Sequence, residues 1–207
     1  MNLSIKPLVV TLLLVGATQA IAASSVDLAV KGLITPSSCT PTLSNGGAVD
    51  YGKISAKDLN ADRKTFLPRQ TLQLTVTCDA ATLMAMEGKD NRAGSDYEND
   101  QMAYGLGLIN GTEKLGGMTL GLRNPVADGV AARTIISHDS GNTWAPDYMF
   151  MDDTLLSVAD ASTVAPMPVQ MFNVDLQITP FIAPTNQLTL TNEAAIDGSV
   201  TLTVKYL

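Results

Sequence analysis

Leu72-Gln73-Leu74-Thr75-Val76-Thr77-Cys78 alternates apolar and polar side chains without a break. A period of two places Leu72, Leu74, Val76 and Cys78 on one face of a β-strand and Gln73, Thr75 and Thr77 on the other. The pattern recurs along the chain. Val174, Leu176 and Ile178 alternate with Asp175, Gln177 and Thr179; Val200, Leu202, Val204 and Tyr206 alternate with Thr201, Thr203 and Lys205; Val26, Leu28 and Val30 alternate with Asp27, Ala29 and Lys31. Weaker strand candidates fall at 48–54, 82–87, 103–109, 117–123, 133–137 and 186–191.

Between these runs stand turn signals: Asn45-Gly46-Gly47, Asn110-Gly111, Gly116-Gly117, Asn124-Pro125, Asp128-Gly129, Ser140-Gly141-Asn142 and Asp197-Gly198. Glycine, asparagine and aspartate tolerate the left-handed backbone that tight turns need. Short strands at this spacing predict an all-β sandwich or barrel. Helix is scarce, with single short candidates at 55–63 and 150–160. The stretch 88–168 is the least regular and is expected to form long surface connections or an elaboration on one domain spanning 23–207.

The first residues set the compartment. Lys6 precedes the apolar run Leu8-Val9-Val10-Thr11-Leu12-Leu13-Leu14-Val15, and Ala20-Ile21-Ala22 supplies small residues for cleavage. This is the pattern of a secretory signal peptide, residues 1–22, with cleavage after Ala22, or after Ala23 as the second choice. Its apolar run is shorter than the roughly 20 residues a permanent membrane span needs, so no membrane insertion is expected after cleavage. An exported chain meets an oxidising environment, and the two cysteines, Cys39 and Cys78, are expected to pair. The net charge of −7 argues against nucleic acid and anionic lipid, which need clustered lysine and arginine.

No catalytic, cofactor or metal site is expected. His138-Asp139-Ser140 holds triad residue types, but adjacent residues cannot converge as a triad, and a polar turn into Gly141 is the reading. Asp90, Asp96, Glu98 and Asp100 lack the spacing of a calcium loop and read as a solvated acidic stretch. The glycines between 105 and 121 have no phosphate-loop lysine beside them. Trp144, with Tyr148 nearby, is the candidate for stacking on a sugar ring, against a structural anchoring role.

The order of motifs suggests a family. Val30-Lys31-Gly32, then Cys39, Val49-Asp50-Tyr51-Gly52-Lys53-Ile54 and the strand ending in Cys78 resemble the first third of a chaperone–usher pilin subunit. Asp197-Gly198-Ser199-Val200 through Tyr206 resembles the last strand of such subunits, which ends in a penultimate tyrosine. Within that group the chain is most similar to the DUF1120, or probable β-fimbrial subunit, branch, where a Tyr-Gly-Lys-Ile segment and a stretch like Lys89-Asp90-Asn91-Arg92 recur.

The resemblance implies an immunoglobulin-like, pilin-type β-sandwich with an incomplete strand complement. It implies a groove lined by Val26, Leu28, Val30, Val200, Leu202, Val204 and Tyr206, filled by a strand from another protein. It implies as partners a periplasmic chaperone, an outer-membrane usher and other fimbrial subunits, with export to the periplasm and then a place at the cell surface in a fimbrium, or secretion. One departure stands out. Only Ala23-Ser24-Ser25 would precede Val26 after cleavage, so Val26, Leu28 and Val30 either line the groove or are themselves donor residues, or the chain has no usable donor. The alternative reading is a secreted carbohydrate- or receptor-binding sandwich outside any fibre, with Trp144 and Tyr148 in its binding surface.

Overall fold

The computed structural model describes residues 28–32 and 38–207. The expected leader and Val26 lie outside them. Fifteen strands follow in chain order: β1 (Cys39–Leu43), β2 (Thr65–Phe66), β3 (Gln70–Thr82), β4 (Met84–Asp90), β5 (Tyr104–Gly105), β6 (Leu108–Ile109), β7 (Glu113–Lys114), β8 (Gly116–Ala127), β9 (Val130–Ala131), β10 (Arg133–Ser137), β11 (Ala145–Pro146), β12 (Met149–Phe150), β13 (Leu155–Ala159), β14 (Val169–Ile182) and β15 (Val200–Tyr206). Among the described residues, helix is confined to 3₁₀ turns such as Ala56–Asp58.

The strands form an all-β sandwich. One sheet runs β1-β3-β14-β8-β12, with β2, β5 and β9 added at its margins; the other runs β11-β10-β13-β4-β15. Every ladder between named strands is antiparallel, as short turn-linked strands allow. The alternation read from Leu72 to Cys78 sets the inner face of β3, where Leu74 and Val76 are fully buried. Leu72 lies opposite Leu176 on β14, and Leu176 lies opposite Leu122 on β8, so an apolar row crosses three strands. Met84, Met86, Leu156 and Val158 meet this row from the second sheet in one core.

β3 and β4 are nearly one strand. The chain turns from the first sheet into the second at Leu83, whose side chain is exposed. Gly88 on β4 makes room for the core aromatics, since a β-carbon there would stand 2.5 Å from the Tyr104 hydroxyl and 3.3 Å from the Phe150 ring. Tyr104 is fully buried, and burial together with the nearby Asp152 and Asp90 raises its pKa well above the ordinary phenol value.

The two long sides of the sandwich differ. On one side, residues 145–150 pair with β10 through β11 and with β8 through β12, so a single short segment belongs to both sheets and closes the gap. On the other side, the margins are β1 and β15. Each is paired along one edge only among the described residues, β1 with β3 and β15 with β4.

Several expectations need correction. The candidate helix at 150–160 is instead β12 and the buried strand β13, whose Ser157 hydroxyl donates to the Met84 carbonyl inside the core. With both faces covered, β13 has no polar face to show a period of two. The region 88–168 supplies β8 and β10 to β13, so it is part of the sandwich rather than an addition. Residues 48–54 and 186–191 form no strand, and the described part of the first alternating run, Leu28 to Gly32, is irregular, with Leu28 and Val30 exposed.

Candidate functional site

The open side builds a channel. β1 turns Cys39, Pro41 and Leu43 inward, and β15 turns Val200, Leu202 and Val204 inward, yet all six are only half-buried. Cys39, Leu43 and the three β15 side chains pack on the main core without being covered by it. Between the two margins lies a cavity of about 260 Å³, lined by Leu43, Val49, Leu106, Met118, Val200 and Leu202 among others. Backbone edges without a ladder partner, above half-covered apolar side chains, are the local conditions under which a sheet recruits another strand.

A second cavity, of about 500 Å³, adjoins the first and shares Val49, Tyr51 and Ile196 with it. Its walls are two extended segments outside any ladder, 49–54 and 192–196, and its floor includes Leu59, Leu115, Ile182 and Leu190. Gly198 lets the chain lie directly on the channel floor. A β-carbon there would stand 2.8 Å from Leu106 Cδ2.

Side-chain bonds hold the channel's margins. The disulfide between Cys39 and Cys78 ties β1 to β3. The Cys39 N–H donates to the Tyr206 hydroxyl at 2.9 Å, linking the two margins directly. At the far end, Lys53 Nζ meets Glu193 Oε1 at 2.7 Å, one residue from each wall of the second cavity. Arg92 grips Asp197 through Nε and Nη2 and fixes the entry to β15; that contact holds the Asp197 carboxyl below its ordinary pKa. Asn91 completes the anchor through the Ser199 and Thr201 hydroxyls.

Of the residues predicted for the groove, Val200, Leu202, Val204 and Tyr206 come together here. Val26 lies outside the described residues. Leu43, Val49, Tyr51, Met118 and Ile196 were not foreseen. For Val49 and Tyr51 a signal existed, since they alternate as strand residues do.

The other candidates sit elsewhere. The Trp144 indole N–H donates to the Gly141 carbonyl, and the ring is half-buried against its own loop. Tyr148 is exposed, and the Arg123 guanidinium lies 3.4 Å from its ring centroid, so one face of the ring is covered. The Asp139 carboxylate accepts bonds from the Ser137 hydroxyl and from the Thr143 amide and hydroxyl, while His138 is exposed, so His138-Asp139-Ser140 is a turn. The acidic stretch is not the solvated loop expected, because Asp90 and Asp96 are buried and Asp96 Oδ1 has no hydrogen-bond partner among the described residues. Asp90 takes the Arg92 and Gly105 N–H groups, Glu98 pairs with Lys64, and Asp100 takes the Met102 N–H. No three metal-ligating side chains converge among the described residues.

A disulfide-tied β-sandwich with one closed and one open side is the class of protein that fold and site define. The family described as "protein of unknown function (DUF1120)" matches residues 28–119, a span that includes both cysteines and the wall Val49–Ile54. Two proteins of Escherichia coli strain K12 are similar to the chain. "Protein GltF" is 27% identical, the alignment covering 93% of each chain. "Uncharacterized protein YhcF" is 37% identical over 79 residues, 38% of this chain and 33% of that one. The disulfide fits a protein exported to an oxidising compartment.

Proposed function

We propose that this chain is a structural or minor subunit of a surface fimbria, assembled by the chaperone–usher route, in which a strand from another polypeptide completes the sandwich. The observation that carries the reading is the open side, where the outer edges of β1 and β15, without a ladder partner among the described residues, flank a cavity of about 260 Å³ lined in part by Leu43, Val200 and Leu202. A strand added along the free edge of β15 would gain main-chain hydrogen bonds from that margin, and the two margins, whose Cα atoms come within 8 Å of each other, would have to part to bond it from both sides. Its alternate side chains would fill the cavity at about 1.5–3 kcal/mol each. The first donor in the periplasm would be a chaperone, replaced at the outer-membrane usher by another subunit. Val26, Leu28 and Val30 have the spacing to serve as this chain's own donor to a neighbour.

The reading is tested by producing the mature chain in the periplasm with and without a strand-donating chaperone. The expected result is proteolysis or aggregation alone and accumulation as a complex with the chaperone. An isolated monomer that melts cooperatively at high temperature, and gains nothing from a donor, overturns it.

A further inference from the structure

Leu72, Leu74, Val174, Leu176, Leu120 and Leu122 fill the core, so the residues between them on β3, β14 and β8 point outward from the first sheet. The ladders align these outward residues in rows that cross all three strands. Gln73, Asp175 and Arg123 form one row, and Thr71, Gln177 and Gly121 form the next. Neither row holds a lysine, a glutamate or an aliphatic side chain. The chain as a whole carries a net charge of −7, yet here one acid balances one base. Several of these groups are already fixed. Gln73 Nε2 donates to the Val174 carbonyl at 3.0 Å, and Asp175 Oδ2 accepts from Asn124 Nδ2 at 2.8 Å. Arg123 lies opposite Asp175 across the ladder, and its guanidinium sits 3.4 Å from the centre of the Tyr148 ring. Gly121 ends its row without a side chain. A β-carbon there would stand 3.6 Å from Tyr148 Cδ2, so the ring lies beside the gap that the glycine leaves. Tyr148 is 46% exposed.

From this arrangement we propose that the outer face of β3, β14 and β8 binds a neutral polysaccharide, with Tyr148 as its stacking platform. A sugar ring offers an apolar C–H face and a rim of hydroxyls. The side of the Tyr148 ring away from Arg123 takes the apolar face. The two rows take the hydroxyls: a carboxylate accepts, a guanidinium donates and an amide does both, so vicinal hydroxyls are met in either sense. Neighbouring strands stand about 4.8 Å apart, close to the repeat of a pyranose chain lying across them. The two cavities described above include none of the row residues, so the face is open and must gather its affinity from several rings of a long chain. The balance of one acid and one base matches an uncharged polymer better than an acidic one. Side chains held by ladder neighbours lose little freedom when they bind. Trp144 takes no part, because its indole N–H is committed to the Gly141 carbonyl. The face and the channel between β1 and β15 share no residue, so glycan binding here is independent of strand uptake.

The test uses the mature full-length protein with its disulfide intact, alone or in complex with a strand donor. It is run in native gels cast with hydroxyethyl cellulose, galactomannan or dextran, and with alginate as the acidic polymer. Retardation by at least one of the neutral polymers is expected, and none by alginate. Tyr148→Ala and Gln177→Ala should each weaken the apparent affinity about fivefold or more, while Tyr148→Phe keeps it within about twofold. Trp144→Phe should leave it unchanged. Both row positions face outward, and circular dichroism with the melting temperature shows that each variant is folded. Retardation by no neutral polymer overturns the proposal, as does retardation by alginate alone. So does retardation by a neutral polymer that Tyr148→Ala and Gln177→Ala both leave intact.

Discussion

Cys39 and Cys78 face each other directly across the ladder between β1 and β3, in register as well as in covalent linkage. The bond therefore adds no distant constraint. It clamps the marginal strand of the open side to the strand that carries the core row. A loop with 39 residues' separation contributes about 4 kcal/mol on the chain-entropy account. Besides the disulfide, β1 is held by its ladder with β3, by the Ser38 bonds to the Asp79 carboxylate and by the Cys39 N–H to Tyr206 bond, with only half-buried side chains behind them. Cys78→Ser is expected to cost about 4 kcal/mol of stability, seen as a lowered urea midpoint, and to abolish accumulation in the periplasm. Normal yield and melting temperature in that variant would refute the clamp.

Gly116 and Gly121 lie on the same strand and predict opposite outcomes. A β-carbon on Gly116 would stand 2.0 Å from the Phe181 carbonyl oxygen and 3.0 Å from Ile182 Cα, both backbone atoms of the neighbouring β14. Gly116→Ala must push two strands apart and is expected to cost about 2 kcal/mol or more. At Gly121 the nearest atom is Tyr148 Cδ2 at 3.6 Å, an ordinary contact. Gly121→Ala should be close to neutral or slightly stabilising, since alanine reduces the freedom of the unfolded chain. Chemical denaturation of the two variants side by side checks the contrast.

Asp139 offers a pH test at an exposed loop. Bonds from the Thr143 hydroxyl and amide and from the Ser137 hydroxyl pull its pKa down from the usual carboxylate value to about 2. A carboxylate with a lowered folded-state pKa stabilises the loop above its ordinary value, and that contribution is lost as pH falls through about 2. Carbon-detected NMR of the side-chain carboxyl should give a midpoint near 2 for Asp139, and Thr143→Ala should raise it toward the ordinary value. A wild-type midpoint near the ordinary carboxylate value would show that the turn is not held this way.

What could be read from the sequence follows from how each strand is covered. β3, β14 and β15 have one apolar and one wet face, so their alternation was visible. β13 carries Ser157 inside the core, its hydroxyl satisfied by a backbone carbonyl, and so the apolar count that marks a strand was broken at its centre. The pairing of Cys39 with Cys78 needed only two cysteines and a compartment. The β15 side of the channel was legible as a row of valine and leucine. The larger cavity was not, because its lining comes from separate segments around residues 49–59, 115, 182 and 190–196 that only the fold assembles. Residues 49–54 mislead for a related reason: they alternate like a strand, yet no ladder forms along them.

Leu202 separates a residue of the fold from a residue of the function. It sits at the middle of β15, opposite Gly88 on β4, half-buried and lining the smaller cavity. Its side chain packs on the core from one side and meets open space on the other. Leu202→Asp removes part of an incomplete apolar contact, so the protein alone should lose about 1–2 kcal/mol and remain folded. Uptake of a strand would place an apolar donor side chain against that carboxylate with no water to solvate it, a penalty large enough to abolish binding. Thermal shift in the presence of the residue 23–34 peptide reads both effects together. The expected result is a modest drop in melting temperature for the variant alone and no rise on adding peptide, against a clear rise for the wild type. Equal stabilisation of both proteins would place the peptide somewhere other than between β1 and β15.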